Sequence, residues 1–303
     1  MELVLYIIST IVVVAEFILG ILSNGLIVLK NCTDWVNKRE LSTIDQILTM
    51  LAISRISLIW ETFLLWVKND LITSTTREEL KLIVFSFTLS SHFSLWLATA
   101  LGMFYLLRIA NCSWQIFLYL KWRLKQLIVG MLLGSLIFLL TNLMQITIAL
   151  EERLYQYGGN SSVTSMETEF GVLTELMLFN MTVFSVTPFL LALISSLLLI
   201  FSLWKHLQKM QLNSRRHGDP STKAHMNALR IMVSYLLLYT TEFLSLLISW
   251  IAQKHHSKLV HFICTMTALM YPSAHSFILI LGNSKLKQTS LWVLKLLRCR
   301  VGE

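Results

Sequence analysis

Residues 80–107 read LKLIVFSFTLSSHFSLWLATALGMFYLL, and they continue without a break into Arg108-Ile109-Ala110-Asn111-Cys112-Ser113 and the basic segment Lys121-Trp122-Arg123-Leu124-Lys125. Only Lys81 near one end and His92 within it interrupt the apolar run. About 28 residues at a 1.5 Å rise reach about 42 Å, enough to cross a bilayer with tilt. The Lys/Arg excess beyond it marks the cytoplasmic side. One helix therefore joins an outer half to a basic inner surface. Val84, Phe87 and Ser91 recur at helical spacing in the outer half, as a ligand-facing row would. Tyr105 and Arg108 occupy the opposite end, where a cytoplasmic partner can act.

The rest of the chain repeats this pattern. Of 303 residues, 55% are hydrophobic and 14% charged, too apolar and too blocked for a soluble domain. Seven apolar runs emerge, at about 3–29, 47–67, 80–107, 127–150, 176–203, 229–252 and 259–281, each about 20 residues or more. The expected fold is an all-α, seven-transmembrane helix bundle forming a single domain over 1–303. With the C-terminus inside, inner segments hold eighteen of the 25 Lys and Arg residues, outer segments six, and Arg55 falls within a span. That bias sets an extracellular N-terminus, a cytoplasmic C-terminus and a multi-pass protein of the plasma membrane. The first run is longer than a signal-peptide core and has no Lys or Arg before it, so it is expected to be retained. The net charge of +8 is spread between apolar blocks rather than gathered in a free patch, which disfavours nucleic acid.

The four cysteines, Cys32, Cys112, Cys264 and Cys299, avoid the outer loops in this topology, so no disulfide framework is expected. Residues 151–174 read as the long outer loop and carry the sequon Asn160-Ser161-Ser162, an expected glycosylation site. The sequons at Asn31, Asn111 and Asn180 fall inside the cell or within a span, beyond the transferase. After Gly282-Asn283, Lys285, Lys287 and Lys295 alternate with Leu286, Trp292, Val293, Leu294 and Leu297. That is the pattern of a short amphipathic helix on the inner leaflet, in contact with membrane lipid. Cys299 there is a palmitoylation candidate, with a free thiol as the plainer alternative.

Ionisable groups inside spans need a partner or a cavity. Asn24, Arg55 and His275 fall at similar depth in the first, second and seventh spans, about 1.5 Å per residue from the inner end. They are expected to form one polar layer, either a lock whose rearrangement passes a signal or a static clamp. Glu16, Glu61 and Glu242 fall nearer the middle or the outer half. Tyr235, Tyr239, Glu242 and Leu246 stack on one face of the sixth span, where a carboxylate can attract a cationic ligand or hold a neighbouring helix by a hydrogen bond. Trp60, Trp66, Phe87, Phe184 and Tyr239 are candidate linings of an apolar cavity. Pro188 removes one backbone hydrogen bond from the fifth span. No phosphate loop, Cys/His metal spacing, HExxH or Ser/His/Asp set is present, so neither enzymatic activity nor a cofactor or metal site is expected.

Several segments together resemble the bitter taste receptors, the type 2 taste receptor family within the G-protein-coupled receptors. They are Leu51-Ala52-Ile53-Ser54-Arg55, His92-Phe93-Ser94-Leu95-Trp96-Leu97-Ala98-Thr99 with Phe104-Tyr105, and Phe117-Leu118-Tyr119-Leu120-Lys121-Trp122-Arg123. Ser196 to His206, Asp219 to His225 and Tyr271 to Asn283 complete the set. The resemblance implies a receptor that binds bitter small-molecule agonists in an outer-half pocket and activates a heterotrimeric G protein of the gustducin or Gi-like type. By motif offset the pocket maps onto Trp66, Phe87, Ser91, Phe184, Tyr239, Glu242, Leu246 and Thr265. Tyr105, at the inner end of the third span, joins Asn24, Arg55 and His275 as the expected polar layer and switch, and the inner-side Arg108, Lys121, Arg123, Lys205, Lys209 and Arg230 are candidate G-protein contacts, with membrane orientation alone as the plainer alternative for each. The family lacks the disulfide that joins the third span to the second outer loop in many other receptors. Ser91 stands where Asn is frequent, Phe87 where Trp is frequent and Glu242 where an aromatic is common, so ligand preference does not transfer. Arg108 replaces a frequent Lys and keeps its charge.

Rival readings are a vomeronasal-type pheromone receptor and a small-molecule transporter. The transporter would favour broken helices in paired repeats, and none is visible. A retinal photoreceptor would need a lysine in the seventh span, and 259–281 contains none.

Overall fold

The computed structural model describes residues 2–37, 40–70, 77–110, 115–157, 164–213, 220–254 and 258–301. Among the described residues every regular element is a helix: α1 (Glu2–Val36), α2 (Thr43–Asp70), α3 (Arg77–Ile109), α4 (Gln115–Trp122), α5 (Leu124–Tyr157), α6 (Thr164–Asn213), α7 (Pro220–Lys254), α8 (Lys258–Gly282) and α9 (Ser284–Val301). Six of them, α1, α2, α3, α5, α6 and α7, are long and apolar enough to cross a membrane.

The helices overrun the apolar runs that announce them. Hydropathy marks where hydrocarbon ends, but a helix stops only where its backbone is capped or broken. The outer loop expected at 151–174 is largely helical: α5 carries on to Tyr157, and α6, 50 residues long, already begins at Thr164. The short α4 leaves no mark in the hydropathy, because its eight residues fall below the length of a span. Asn160 and its sequon lie outside the described residues.

Where a boundary is sharp, its cap is visible. At the start of α2 the Ser42 amide donates to Asp45 Oδ2 at 3.3 Å, and the Asp45 amide donates to Ser42 Oγ at 3.3 Å, a reciprocal capping box. At the α8–α9 junction Asn283 Oδ1 accepts from the amides of Lys285 (3.0 Å) and Leu286 (3.4 Å), restarting the helix after Gly282. α9 then turns Leu286 inward and leaves Lys285, Lys287, Trp292 and Lys295 exposed, as an amphipathic helix should.

α3 is the central post. Its candidate span is 61% buried, against 22% for that of α5, and it packs on α2, α5 and α6. α5 instead shows Leu133, Ile137 and Leu140 outward, and α6 shows Ile194, Leu197 and Phe201. Apolar exposure of this extent suits lipid rather than water. α8 packs against both α7 and α1, closing the ring. At that closure Gly20 permits a close approach: a Cβ there would sit 2.6 Å from Ile59 Cδ1 and 2.7 Å from Ser273 Oγ.

Candidate functional site

Asn24, Arg55 and His275, expected at one depth from residue counts alone, meet in the bundle core. All three are at most 1% exposed, as is Ser276, which joins them. Arg55 Nη1 donates to Ser276 Oγ at 3.3 Å, and Arg55 Nη2 donates to His275 Nδ1. A guanidinium can only donate, so His275 accepts through Nδ1 and holds its ring proton on Nε2. The Ser276 hydroxyl proton is shared between Asn24 Oδ1 at 2.7 Å and the Pro272 carbonyl at 2.8 Å, while Asn24 Nδ2 donates to the Gly20 carbonyl at 2.9 Å. The Tyr271 ring lies under the Arg55 guanidinium, 5.4 Å from its centroid. Arg55 thereby ties α2 to α8, and Ser276 carries the tie on to Asn24 of α1.

An aromatic column leads away from this layer. Tyr271 stacks on Tyr239 at 5.7 Å, and Tyr239 meets the edge of Phe189 at 5.6 Å. Phe189 in turn lies flat on Phe243, with centroids 4.2 Å apart and planes at 5°. Tyr235, a turn below Tyr239, contacts His275 at 4.7 Å and donates from its hydroxyl to the Ala98 carbonyl of α3 at 3.3 Å. The Thr99 hydroxyl proton is shared between the Leu95 carbonyl of its own helix at 2.9 Å and the Pro188 carbonyl at 3.1 Å, and so links α3 to α6 at the proline. Glu242, one turn above Tyr239, is close enough to Arg55 to interact with it electrostatically, and its Oε2 is buried with no hydrogen-bond partner among the described residues.

The remaining pocket candidates divide between two sides of the bundle. Ser91 on α3 is buried, with Phe87 half-buried one turn before it; Phe184 on α6 is half-buried and Leu246 on α7 buried. Trp66 belongs to an aromatic ladder between α1 and α2, 6.1 Å from Phe63, which itself packs on Phe17 at 4.4 Å. Trp60 was a candidate lining residue, and the structure corrects this: it packs on Phe17 at the bundle surface and is 50% exposed. The Thr265 side chain lies outside the described residues. Glu61 accepts from Ser90 Oγ at 3.1 Å, and the Glu16 carbonyl accepts from Ser273 Oγ at 3.3 Å.

Basic groups gather at the opposite end. Arg108, Arg123, Lys205 and Arg230 are exposed. Lys121 Nζ donates to the Ala110 carbonyl at 3.5 Å, bracing α4 on the end of α3. Arg123 lies over the rings of Tyr119 (5.2 Å) and Trp122 (5.5 Å). Tyr105 packs between the two main apolar clusters, next to Phe104 at 6.2 Å, rather than joining the Arg55 network. The Lys209 side chain lies outside the described residues.

Sequence reasoning missed Ser276, Tyr271 and Phe189. A usable signal existed for two of them: Tyr271 and His275 are four residues apart, and Ser276 adjoins His275, all polar on an otherwise apolar helix. Phe189 carries no such mark.

The family model described as "Taste receptor protein (TAS2R)" matches residues 1–298. Taste receptor type 2 member 124 of Mus musculus is 74% identical over 298 residues, covering 98% of this chain and 96% of that protein. Taste receptor type 2 member 102 of Rattus norvegicus is 69% identical over 303 residues, covering 99% and 92%. Taste receptor type 2 member 13 of Mus musculus is 54% identical over 296 residues, covering 97% of each.

Proposed function

The chain belongs to the taste receptor type 2 family, and from that premise we propose that it is a bitter receptor. In this reading seven spans, α8 being the seventh, hold the N-terminus outside and the C-terminus in the cytoplasm. A small, largely apolar agonist enters among α3, α6 and α7, beside Phe87, Ser91, Phe184, Tyr239, Glu242, Leu246 and Thr265, with Trp66 at the α2 edge.

The observation that carries the reading is the aromatic column from Tyr239 through Tyr271 to Arg55, with Glu242 one helical turn above Tyr239 and its Oε2 buried without a hydrogen-bond partner among the described residues. A guanidinium keeps its charge, and burying it is costly unless its donors are met. The direct partners of Arg55 are neutral, so its position is sensitive to charge and dipole placed along the column. An agonist that engages Glu242 or displaces Tyr239 changes the field at Arg55 and the packing of Tyr271. The α1–α2–α8 knot then resettles.

Signalling follows if the agonist binds the two arrangements unequally; an agonist with equal affinity for both shifts nothing. The Thr99–Pro188 contact lets α6 change its tilt relative to α3, because proline has already removed one backbone hydrogen bond there. The motion reaches the end bearing Arg108, Lys121, Arg123, Lys205, Lys209 and Arg230, where a gustducin-type G protein docks by charge and shape. Asn160 carries a glycan on the outer face, and α9 rests on the inner leaflet.

The test is agonist-dependent GTP exchange on the reconstituted receptor, paired with a calcium screen of bitter compounds in cells bearing a gustducin-like chimera. Exchange driven by some bitter compounds supports the reading. Expressed, folded receptor that drives no exchange with any of them overturns it.

A further inference from the structure

Val84 of α3 and Ile146 of α5 share a small buried cluster, and Phe85 of α3 and Met177 of α6 pack against it. From that level α3 and α6 run together toward the Thr99–Pro188 contact, while α5 runs the opposite way, since its Ser135 is the partner of His92. One helical turn beneath the cluster, three to four residues along each helix, lie Thr88, Asn142 and Asn180. Thr88 donates its hydroxyl to the Val84 carbonyl at 2.8 Å.

The two asparagines are left differently. Asn142 is 4% exposed and Asn180 2%, yet Asn142 Oδ1 and Asn180 Nδ2 are buried with no hydrogen-bond partner among the described residues. The same holds for the Oγ of Ser91, about one turn further along α3. Orphaned polar atoms in an apolar wall are unfavourable for folding, and leucine would fill the space without that cost. Groups that destabilise a fold in this way are characteristic of binding sites, where stability is given up for function.

We propose that Asn142, Asn180 and Ser91 form a hydrogen-bonding subsite that takes a neutral lactam or amide group of the agonist. Asn142 Oδ1 accepts the N–H, Asn180 Nδ2 donates to the adjacent carbonyl oxygen, and Ser91 Oγ serves either. The subsite deepens the receptor reading and rests on it. It recognises a part of the ligand that Glu242 does not: Glu242 offers charge, whereas this wall offers one acceptor and one donor, the complement of a neutral N–H beside a C=O.

The experiment uses full-length receptor in nanodiscs with ε-caprolactam as the probe and cycloheptane, the same ring size without polar atoms, as the control. Unfolding midpoints are measured for the wild type, Asn142→Leu and Asn180→Leu, each with and without millimolar probe. Without probe the variants should melt at the wild-type temperature or above it, because each loses an unpaired polar group. Caprolactam but not cycloheptane should raise the wild-type midpoint, and its half-maximal concentration should rise about tenfold or more in either variant, the loss of one buried hydrogen bond. The proposal is overturned if caprolactam leaves the wild type unmoved or shifts variants and wild type alike. It is equally overturned if both variants melt lower or fail to fold, which would make the asparagines a helix clamp. A caprolactam shift that depends on the asparagines, in a receptor that drives no GTP exchange, would sink the signalling reading and leave the subsite standing.

Discussion

Asn24, Arg55, His275 and Ser276 tie α1, α2 and α8 together through hydrogen bonds that leave, of these four side chains, Arg55 Nε alone buried without a partner among the described residues. By contrast, Glu61, Glu242, Tyr239 and Ser91, on α2, α7 and α3, each carry a buried oxygen with no partner among the described residues. Both regions place polar groups in an apolar bundle, at a cost that must be offset. In the first the offset is internal, so the layer has little to offer a ligand and much to lose from disruption. In the second the hydrogen-bonding capacity is unspent, and on the reading proposed above an agonist uses it. That reading gives the two regions different work, one to hold and one to receive.

The comparison breaks most violently at Arg55. Arg55→Ala leaves His275 Nδ1 without a donor, deprives Ser276 Oγ of the bond it accepts and removes the cation over Tyr271, an expected loss of about 1–3 kcal/mol. The unfolding midpoint of purified receptor should fall steeply, and surface expression with it. A small change in midpoint would mean the layer is not the clamp its geometry suggests.

Glu242→Gln probes the other region and should behave oppositely. Cationic agonists should lose about tenfold to a hundredfold in potency, the ~1.5–3 kcal/mol of a charge-assisted contact, with neutral agonists and thermal stability little affected. Calcium dose–response curves decide it, and undiminished potency for cations would remove the carboxylate from the binding site.

Ser276→Ala sharpens the first region. It leaves Arg55 Nη1 and Asn24 Oδ1 short of a partner, for about 1–2 kcal/mol, visible as a lowered midpoint without a selective effect on any agonist class. Thr99→Val, which keeps the shape and deletes the bond to the Pro188 carbonyl, should cost about 1 kcal/mol. Its signature is altered basal GTP exchange rather than altered affinity, since it bears on the α3–α6 relation and not on the ligand.

Much of this was written in local patterns. Apolar blocks gave the helical class, and counting about 1.5 Å per residue brought Asn24, Arg55 and His275 to one depth before any contact was known. The capping residues Ser42, Asp45 and Asn283 lie where helices begin. Loops were harder: residues 164–174 are helical although their polarity suggested otherwise, because polarity reports solvent and not backbone hydrogen bonding. Trp60 was misplaced for a related reason. An aromatic residue packs equally well toward lipid or toward a cavity, and periodicity within one helix does not say which.

What the sequence determined by itself was the membrane environment, the helical class, the family and the common level of Asn24, Arg55 and His275, since all of these depend on composition and on distance along a single chain. What only the tertiary structure decided was azimuth and pairing: that Ser276 is the hinge between Asn24 and Arg55, that Tyr271 lies beneath the guanidinium, and that Asn142 and Asn180 are buried without partners. Those facts depend on how each helix is rotated about its own axis against its neighbours. That rotation is set by packing across the whole bundle, which no single stretch of chain encodes.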